Sequence, residues 1–212
     1  MADETRIQVL KEPERNPETD SFMWLFRSGE DGLPPIVIYH YTETRARYNA
    51  VDFLDGFSDG SLKMDVYQGY NNLPSIRRCS CWAHTRRYFI DAVPKGKQYD
   101  YSNPAVQGVQ FCSKLSEYER RSHNKKHTFE QRKAYRLEKE KTILDAFWNW
   151  LDEQKPRKGS RFETAVKYTQ NRKDTLMTYL EDGHCSFSNN LSENAIRPFT
   201  VGRKNWLFSA TP

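Results

Sequence analysis

The chain has 212 residues, of which 37% are hydrophobic and 14% aromatic, and its 33 Lys and Arg against 28 Asp and Glu give a net charge of +5. This is enough for one compact domain, or for one domain with a large insertion, and the charge suits a polyanionic partner without requiring one. The four cysteines are few for this length, and the absence of a signal peptide or a long apolar run argues against a secreted or membrane protein and for a soluble, reducing compartment.

Three stretches near the start of the chain have the pattern of β-strands. Residues 5–12 alternate apolar and polar side chains, and residues 21–27 and 35–41 are rich in aromatic and β-branched residues. The connections, one holding two prolines and the other reading SGEDG, are typical of turns. The pattern predicts three antiparallel strands, with Asp3 immediately before the first.

The next stretch predicts a helix followed by two short strands. Residues 44–57 carry apolar side chains three and four positions apart, which indicates an amphipathic helix. Residues 61–66 (SLKMDV) alternate again and predict a fourth strand, in which Asp65 points away from the core. Residues 67–73 predict a helical or turn segment, and residues 77–82 a further strand.

From residue 84 onwards the periodicity is helical. Residues 84–93 predict a helix that ends at Pro94, and three more helices follow it, at residues 104–121, 128–154 and 160–181. The last two begin with capping-box sequences, Thr128 with Gln131 and Ser160 with Glu163. We therefore expect a core interrupted by a helical insertion, divided as residues 1–93, 94–183 and 184–212.

Residues 184–209, HCSFSNNLSENAIRPFTVGRKNWLFS, place one carboxylate, Glu193, between turn-forming residues and a basic, aromatic tail. The pattern predicts about two turns of helix that end near Pro198. A structural interpretation is available for the glutamate, because Asn190 as N-cap with Glu193 three residues later has the spacing of a capping box.

The order of these elements is that of a mixed α/β, ribonuclease H-like sheet flanked by helices. In that architecture Asp3, at the first strand, and Asp65, on the fourth, approach each other, while Glu193 comes from a late helix beside the sheet. Three close carboxylates repel one another unless cations lie among them, and Mg²⁺ prefers such oxygen ligands. For Asp65 alone, a solvated strand residue is the structural alternative.

Four motifs together resemble bacterial insertion-sequence transposases of family sixty-six. They are Asp-Glu-Thr at residues 3–5, Asp65 within MDVYQGYN, CWAHTRRYF at residues 81–89 and NNLSENAIRPFTVGRKNWLFS at residues 189–209. The resemblance covers essentially the whole chain. Its last motif is long and idiosyncratic, whereas the two aspartate motifs are shorter.

The resemblance implies a catalytic domain of the DDE type, with Asp3, Asp65 and Glu193 as catalytic and metal-binding residues. It implies Mg²⁺, with Mn²⁺ as a substitute, DNA strand cleavage by water and transfer of the freed 3′-hydroxyl to a target duplex. The implied partners are the element ends and target DNA, with homo-oligomerisation of the full-length protein, no membrane, and a cytoplasmic, nucleoid-associated location in a bacterium. Full-length relatives carry further N-terminal segments. The chain itself opens directly onto a strand-like pattern and stops at Pro212 without a tail, so we expect an excised domain.

Two positions depart from the family's pattern. Ser188 stands where relatives often have an aspartate before the paired asparagines, and Asn194 stands where they have an arginine after the glutamate. Both changes leave the acidic trio intact, and we expect local metal or DNA contacts to differ at these two positions.

Cys81 and His84 allow two interpretations. With Cys79, and with Cys112 or Cys185 as a further ligand, they suggest a zinc site, although the second compact ligand pair of a structural zinc site is missing. The resemblance instead makes them part of a family motif near the active site, with a structural or a DNA-contacting role.

Basic and aromatic residues follow the glutamate, namely Arg197, Arg203, Lys204 and Trp206. Arginine and lysine bind phosphates and tryptophan stacks on unpaired bases, which makes these residues candidates for DNA binding. The alternatives are an Arg197–Glu193 pair within the helix and a Trp206 that anchors the tail in the core. At the level of function, an inactive DNA-binding remnant and a nuclease of the same fold remain open.

Overall fold

The computed structural model describes residues 1–30, 32–58, 60–64, 67–70, 73 and 76–212, which form a mixed α/β fold. The strands are β1 (Ala2–Gln8), β2 (Asp20–Arg27), β3 (Val37–Thr42), β4 (Ser61–Met64) and β5 (Arg77–Ser80). The α-helices are α1 (Arg47–Phe53), α2 (Trp82–Ala92), α3 (Pro104–Asn124), α4 (Phe129–Lys139), α5 (Lys141–Asp152), α6 (Arg161–Gln170), α7 (Lys173–Met177) and α8 (Asn190–Trp206). Short 3₁₀ turns lie at Gln68–Tyr70 and Thr178–Leu180.

The first three strands form an antiparallel sheet in the order β1-β2-β3, and β4 and β5 form a second sheet of two strands. The predicted three-stranded arrangement is confirmed. β1 begins earlier than predicted, however, because the backbone of Met1 pairs with Arg27 in both directions, at 2.7 and 2.9 Å. Asp3 therefore lies within the first strand, opposite Leu25 of β2, and not before it.

The chain divides into two compact units. We call residues 1–78 with 189–212 the sheet unit, and residues 79–188 the helical unit. The sheet unit has a core on one face of the three-stranded sheet, where Ala2, Trp24 and Phe26 pack with residues of α1 and β4. On the sheet, α8 packs against β1 and β2.

The outer edge of β1 is covered by α8 and the segment after it. Three carbonyl groups of this edge accept hydrogen bonds, that of Ala2 from the Asn189 amide, that of Arg6 from the Arg203 guanidinium and that of Gln8 from the Ser209 backbone N–H. An edge strand exposes unpaired backbone groups, so this cover satisfies them internally.

Helix α8 runs through Pro198 to Trp206, so the prediction that it ends near Pro198 is wrong. A proline inside a helix removes one backbone hydrogen bond and crowds the preceding turn. Here the Tyr39 hydroxyl donates to the Ala195 carbonyl of that turn, at 2.6 Å. Contacts with β1 on both sides of the proline, through Asn189 and Arg203, hold the two halves in place.

The helical unit has its own core, which is dense in aromatic rings. Trp82 of α2 stacks with Phe187 and meets Phe147 and Trp148 of α5, and its indole N–H donates to the Leu176 carbonyl at 3.0 Å. Phe147 and Trp148 are both buried in this core. Residues 94–183 are all described and contain no strand, as predicted.

Two of the predicted long helices are divided in the structure. The helix predicted at 128–154 is interrupted at Glu140, and the one at 160–181 is interrupted after α6. Both predicted N-caps are present: Thr128 forms a complete capping box with Gln131, and the Ser160 side chain accepts the Glu163 backbone N–H. The first interruption coincides with a fully buried Glu140 side chain, whose hydrogen bond to Tyr179 is a tertiary contact that periodicity does not reveal.

Candidate functional site

Asp3 lies on the face of the sheet that α8 covers. Side chains alternate between the faces of a strand, so Asp3 and Thr5 share one face. The Arg203 guanidinium of α8 donates to the Thr5 hydroxyl at 2.9 Å, which identifies the face. The Asp3 side chain is half-buried and accepts the Glu4 backbone N–H at 2.9 Å.

The start of α8 is fixed beside the strand that carries Asp3. Asn189, fully buried, donates its side-chain amide to the Ala2 carbonyl at 3.4 Å, across 187 positions of sequence. The Ser192 hydroxyl donates to the Asn189 carbonyl at 2.9 Å, and so does the Glu193 backbone N–H at 3.1 Å. The first turn of α8, with Glu193, therefore adjoins the start of β1.

The capping-box interpretation of Glu193 is wrong. The N-cap is Asn189 and not Asn190, so Glu193 lies four residues after the cap, whereas a capping box needs three. The Oε1 atom of Glu193 is buried. The Asn189 side chain forms hydrogen bonds with the Ala2 carbonyl and the Ser192 hydroxyl. The helix begins one residue earlier than the capping-box interpretation requires.

Asp65, the third predicted ligand, lies outside the described residues. Both flanks of its segment are described: Met64, the last residue of β4, and Tyr70 of the 3₁₀ turn belong to the same core cluster as Ala2. Within the described part of the chain, no group of three or more His, Cys, Asp or Glu side chains is placed to hold a metal ion. The convergence of Asp3, Asp65 and Glu193 stays a prediction.

The residues that are present suit a hard divalent cation. Asp3 and Glu193 offer carboxylate oxygens from two elements that one hydrogen-bonded junction brings together, and one oxygen of Glu193 is shielded from solvent. Carboxylate oxygens are the donors that Mg²⁺ and Mn²⁺ prefer.

A second carboxylate network lies directly beside Asp3, and sequence reasoning missed it. The Glu4 side chain, on the opposite face of β1, accepts hydrogen bonds from the Arg45 guanidinium and, at 2.9 Å, from the Tyr70 hydroxyl. Burial, followed by the charge of Glu4 and its hydrogen bond, raises the pKa of Tyr70 well above its usual value, and the charge of Asp3 contributes. Tyr70 therefore stays protonated and donates to Glu4. The available signal was that Glu4 and Tyr70 both lie in the two short aspartate motifs.

The predicted DNA-binding residues of α8 differ in their surroundings. Arg197 and Lys204 are exposed. Arg203 is used for packing, since its guanidinium binds Thr5 and the Arg6 carbonyl. Trp206 is 40% exposed and meets the Phe199 ring edge-on at 5.6 Å, so its indole packs within the sheet unit and still presents surface.

Cys81 and His84 belong to the helical unit. Cys81 occupies the N-cap position of α2, its carbonyl accepts the Thr85 backbone N–H at 3.3 Å, and His84 is buried in the first turn. All four cysteines are described, reduced and buried. Cys79, Cys81 and His84 all lie in the described part of the chain, where they do not come together as a metal-holding group, so the zinc interpretation has no support.

Comparison with known proteins identifies the family. The model of the Transposase IS66 family matches residues 1–212, and the chain belongs to that family. The resemblance seen in the four sequence motifs is thereby confirmed. No solved structure matches the chain.

Three curated relatives are uncharacterized proteins of Sinorhizobium fredii. The chain is 28% identical to y4qI over 227 residues, which cover all of this chain and 41% of that protein. It is 27% identical to y4hP, covering 84% of this chain and 35% of the relative, and 26% identical to y4jD, covering 98% and 42%. The chain thus spans about two fifths of the length of these relatives. None of the helices within the described ranges is long and apolar enough to cross a membrane.

Proposed function

We propose that the chain is the catalytic domain of a DDE transposase with a ribonuclease H-like core, and that it performs metal-dependent DNA strand cleavage and strand transfer. Asp3, Asp65 and Glu193 are the proposed metal ligands. The observation that carries the proposal is the hydrogen bond from Asn189 to Ala2, since it brings the glutamate-bearing turn of α8 to the strand of Asp3.

The three acids would hold Mg²⁺ or Mn²⁺, whose positive charge offsets the repulsion among them. When bound, such ions supply activation of the attacking oxygen and stabilisation of the leaving oxygen in a phosphodiester displacement. Asp3 is held on a paired strand and Glu193 on a helix anchored at its first turn, so neither ligand depends on a loop for its position.

DNA would be held in part by cations and an aromatic ring of α8. Exposed Arg197 and Lys204 are available to phosphates, and the exposed part of Trp206 to a base. Arg203 contributes by docking α8. Homo-oligomerisation of the full-length protein and action at the bacterial nucleoid in the cytoplasm belong to the same proposal.

The test uses the full-length protein with Mg²⁺ and DNA that carries the element ends. We expect nicking of the DNA and joining of the freed 3′-hydroxyl to a second duplex. Glu193→Gln should abolish both steps and leave DNA binding nearly unchanged, because glutamine keeps the size of the side chain but loses the charge that holds a cation. A matched control is Asp20→Asn, an exposed acid at the far end of β2, which should retain both steps.

Other outcomes separate the alternatives. Nicking without joining would favour a nuclease of the same fold, and DNA binding without Mn²⁺ binding would favour an inactive remnant. Retained strand transfer in Glu193→Gln, with unchanged metal dependence, would remove this glutamate from the proposed site.

A further inference from the structure

The Glu4 carboxylate joins three separate parts of the sheet unit. Its side chain is 6% exposed, although it belongs to a charged residue on an edge strand. The Arg45 guanidinium binds Oε1 from the loop before α1, with Nε at 3.1 Å, and the Tyr70 hydroxyl binds Oε2 from the 3₁₀ turn at 2.9 Å. A buried carboxylate is costly unless it is paired and hydrogen-bonded, and here both oxygens are.

The same network holds the described end of the segment that contains Asp65. The Arg45 guanidinium lies 4.1 Å from the centre of the Tyr67 ring, and the Tyr67 and Tyr70 rings both meet Trp24 of β2 edge-on, at 5.8 and 5.9 Å. Tyr67 and Tyr70 follow Asp65 by only two and five positions. Tyr67 and Tyr70 are therefore tied, directly or through Arg45, to the residue of β1 next to Asp3.

We propose that Glu4 and Tyr70 are positioning residues of the metal site, which hold the 3₁₀ turn Gln68–Tyr70 against the strand that carries Asp3. This inference rests on the proposed function. Glu4 does not need to touch the metal, because it points to the opposite face of β1 from Asp3, and the Tyr70 hydroxyl binds Glu4 on that face. Their hydrogen bond acts as a supporting contact behind the ligands, and such contacts orient ligands and tune metal affinity.

The sheet unit contains a matched control at a different place. Glu12, whose side chain is 2% exposed, is bound by the Arg15 guanidinium at 2.6 Å, by the Ser21 hydroxyl at 2.9 Å and by the Tyr41 hydroxyl. It is the same combination of buried carboxylate, arginine and tyrosine. Ser21 lies opposite Ile7, which is four positions along β1 from Asp3, or about 13 Å at the rise of a strand.

The experiment measures Mn²⁺ binding to this chain by isothermal titration, with thermal unfolding of every variant recorded in parallel. We expect Glu4→Gln and Tyr70→Phe to weaken Mn²⁺ binding about 10-fold. Glu12→Gln and Tyr41→Phe should bind Mn²⁺ as the wild type does. Their effects on the unfolding temperature should nevertheless be similar to those of Glu4→Gln and Tyr70→Phe. Tyr70→Phe removes a single oxygen atom and carries the test if Glu4→Gln does not fold.

The outcomes distinguish this inference from the proposed function. Equal Mn²⁺ affinity of the wild type, Tyr70→Phe and Tyr41→Phe would overturn the inference and leave the proposed function standing. Equal weakening in both tyrosine variants would also overturn it, since the effect would then be one of general stability. A wild-type chain that binds no Mn²⁺ would overturn the proposed function and the inference with it.

Discussion

Glu140 makes the stability of the helical unit depend on pH. This residue joins α4 to α5, its side chain is fully buried, and the Tyr179 hydroxyl donates to its Oε2 at 2.7 Å. Burial is the main cause that raises the pKa of Glu140 to about 8, and the negative charge of Glu119 is the second. Arg136 faces the same group and opposes this shift, but its guanidinium is already bound to both oxygens of Glu119, at 2.6 and 2.8 Å.

The direction of the effect follows from proton binding. Above the ordinary glutamate pKa of 4.5 this residue is ionised in the unfolded chain, while the folded form keeps its proton up to about pH 8. The folded state thus binds one more proton in this window, so raising the pH across it lowers the free energy of unfolding. Each pH unit contributes about 1.4 kcal/mol, which gives an upper limit of about 3 kcal/mol between about pH 5.5 and 8; relaxation of the buried site reduces our expectation to about 2 kcal/mol.

The assay is urea unfolding of the wild type and Glu140→Gln at several pH values from about 5.5 to 8.5, with tryptophan fluorescence as the signal. Glutamine stays neutral and still accepts a hydrogen bond from Tyr179. The free energy of unfolding of the variant, relative to that of the wild type, should therefore increase by about 2 kcal/mol as the pH rises. Glu117→Gln, at a partly exposed residue of the neighbouring α3, should show no such trend. A constant difference between the wild type and Glu140→Gln across this range would refute the reasoning.

Two further substitutions, one of them with a matched control, test the packing of the backbone. A Cβ atom at Gly183 would lie 1.8 Å from the Phe129 carbonyl oxygen, so Gly183→Ala should lower the free energy of unfolding by about 2 kcal/mol or more, measured by thermal unfolding. Gly29→Ala, where nothing lies within 4 Å, should change it by less than about 0.5 kcal/mol, and equal effects at both sites would contradict the packing described here. Pro198→Ala restores a backbone N–H inside α8 and should raise the free energy of unfolding by about 1 kcal/mol in a urea titration; a loss of stability would mean that the proline ring itself stabilises this turn.

Local chemistry was sufficient to predict the strands and most of the helix starts. Strands β2 and β3 are dense in aromatic and β-branched residues and are separated by glycine-containing turns, so their pairing followed from the pattern. The capping residues of α4 and α6 act through contacts three positions away, which a sequence shows directly.

The sequence-based predictions were wrong or incomplete where contacts between distant residues determine the structure. Pro198 normally ends a helix, but the contacts of Tyr39, Asn189 and Arg203 with either half of α8 keep it continuous. The network around Glu4 joins residues up to 66 positions apart, and no periodicity contains that information. Asp3 and Glu193 were chosen from the sequence, whereas the residues that hold their elements together, Asn189 above all, required the structure.

The cover over the outer edge of β1 has a consequence for the order of folding during synthesis. The helical unit is continuous in sequence, so all of its residues are available once residue 188 has left the ribosome. The sheet unit needs residues 189–212 before the carbonyls of Ala2, Arg6 and Gln8 find their partners. Until then the outer edge of β1 is uncovered and can pair with a neighbouring chain, while the helices of the helical unit fold. A chain that ends before residue 189 would therefore contain the whole helical unit but leave the outer edge of β1 uncovered.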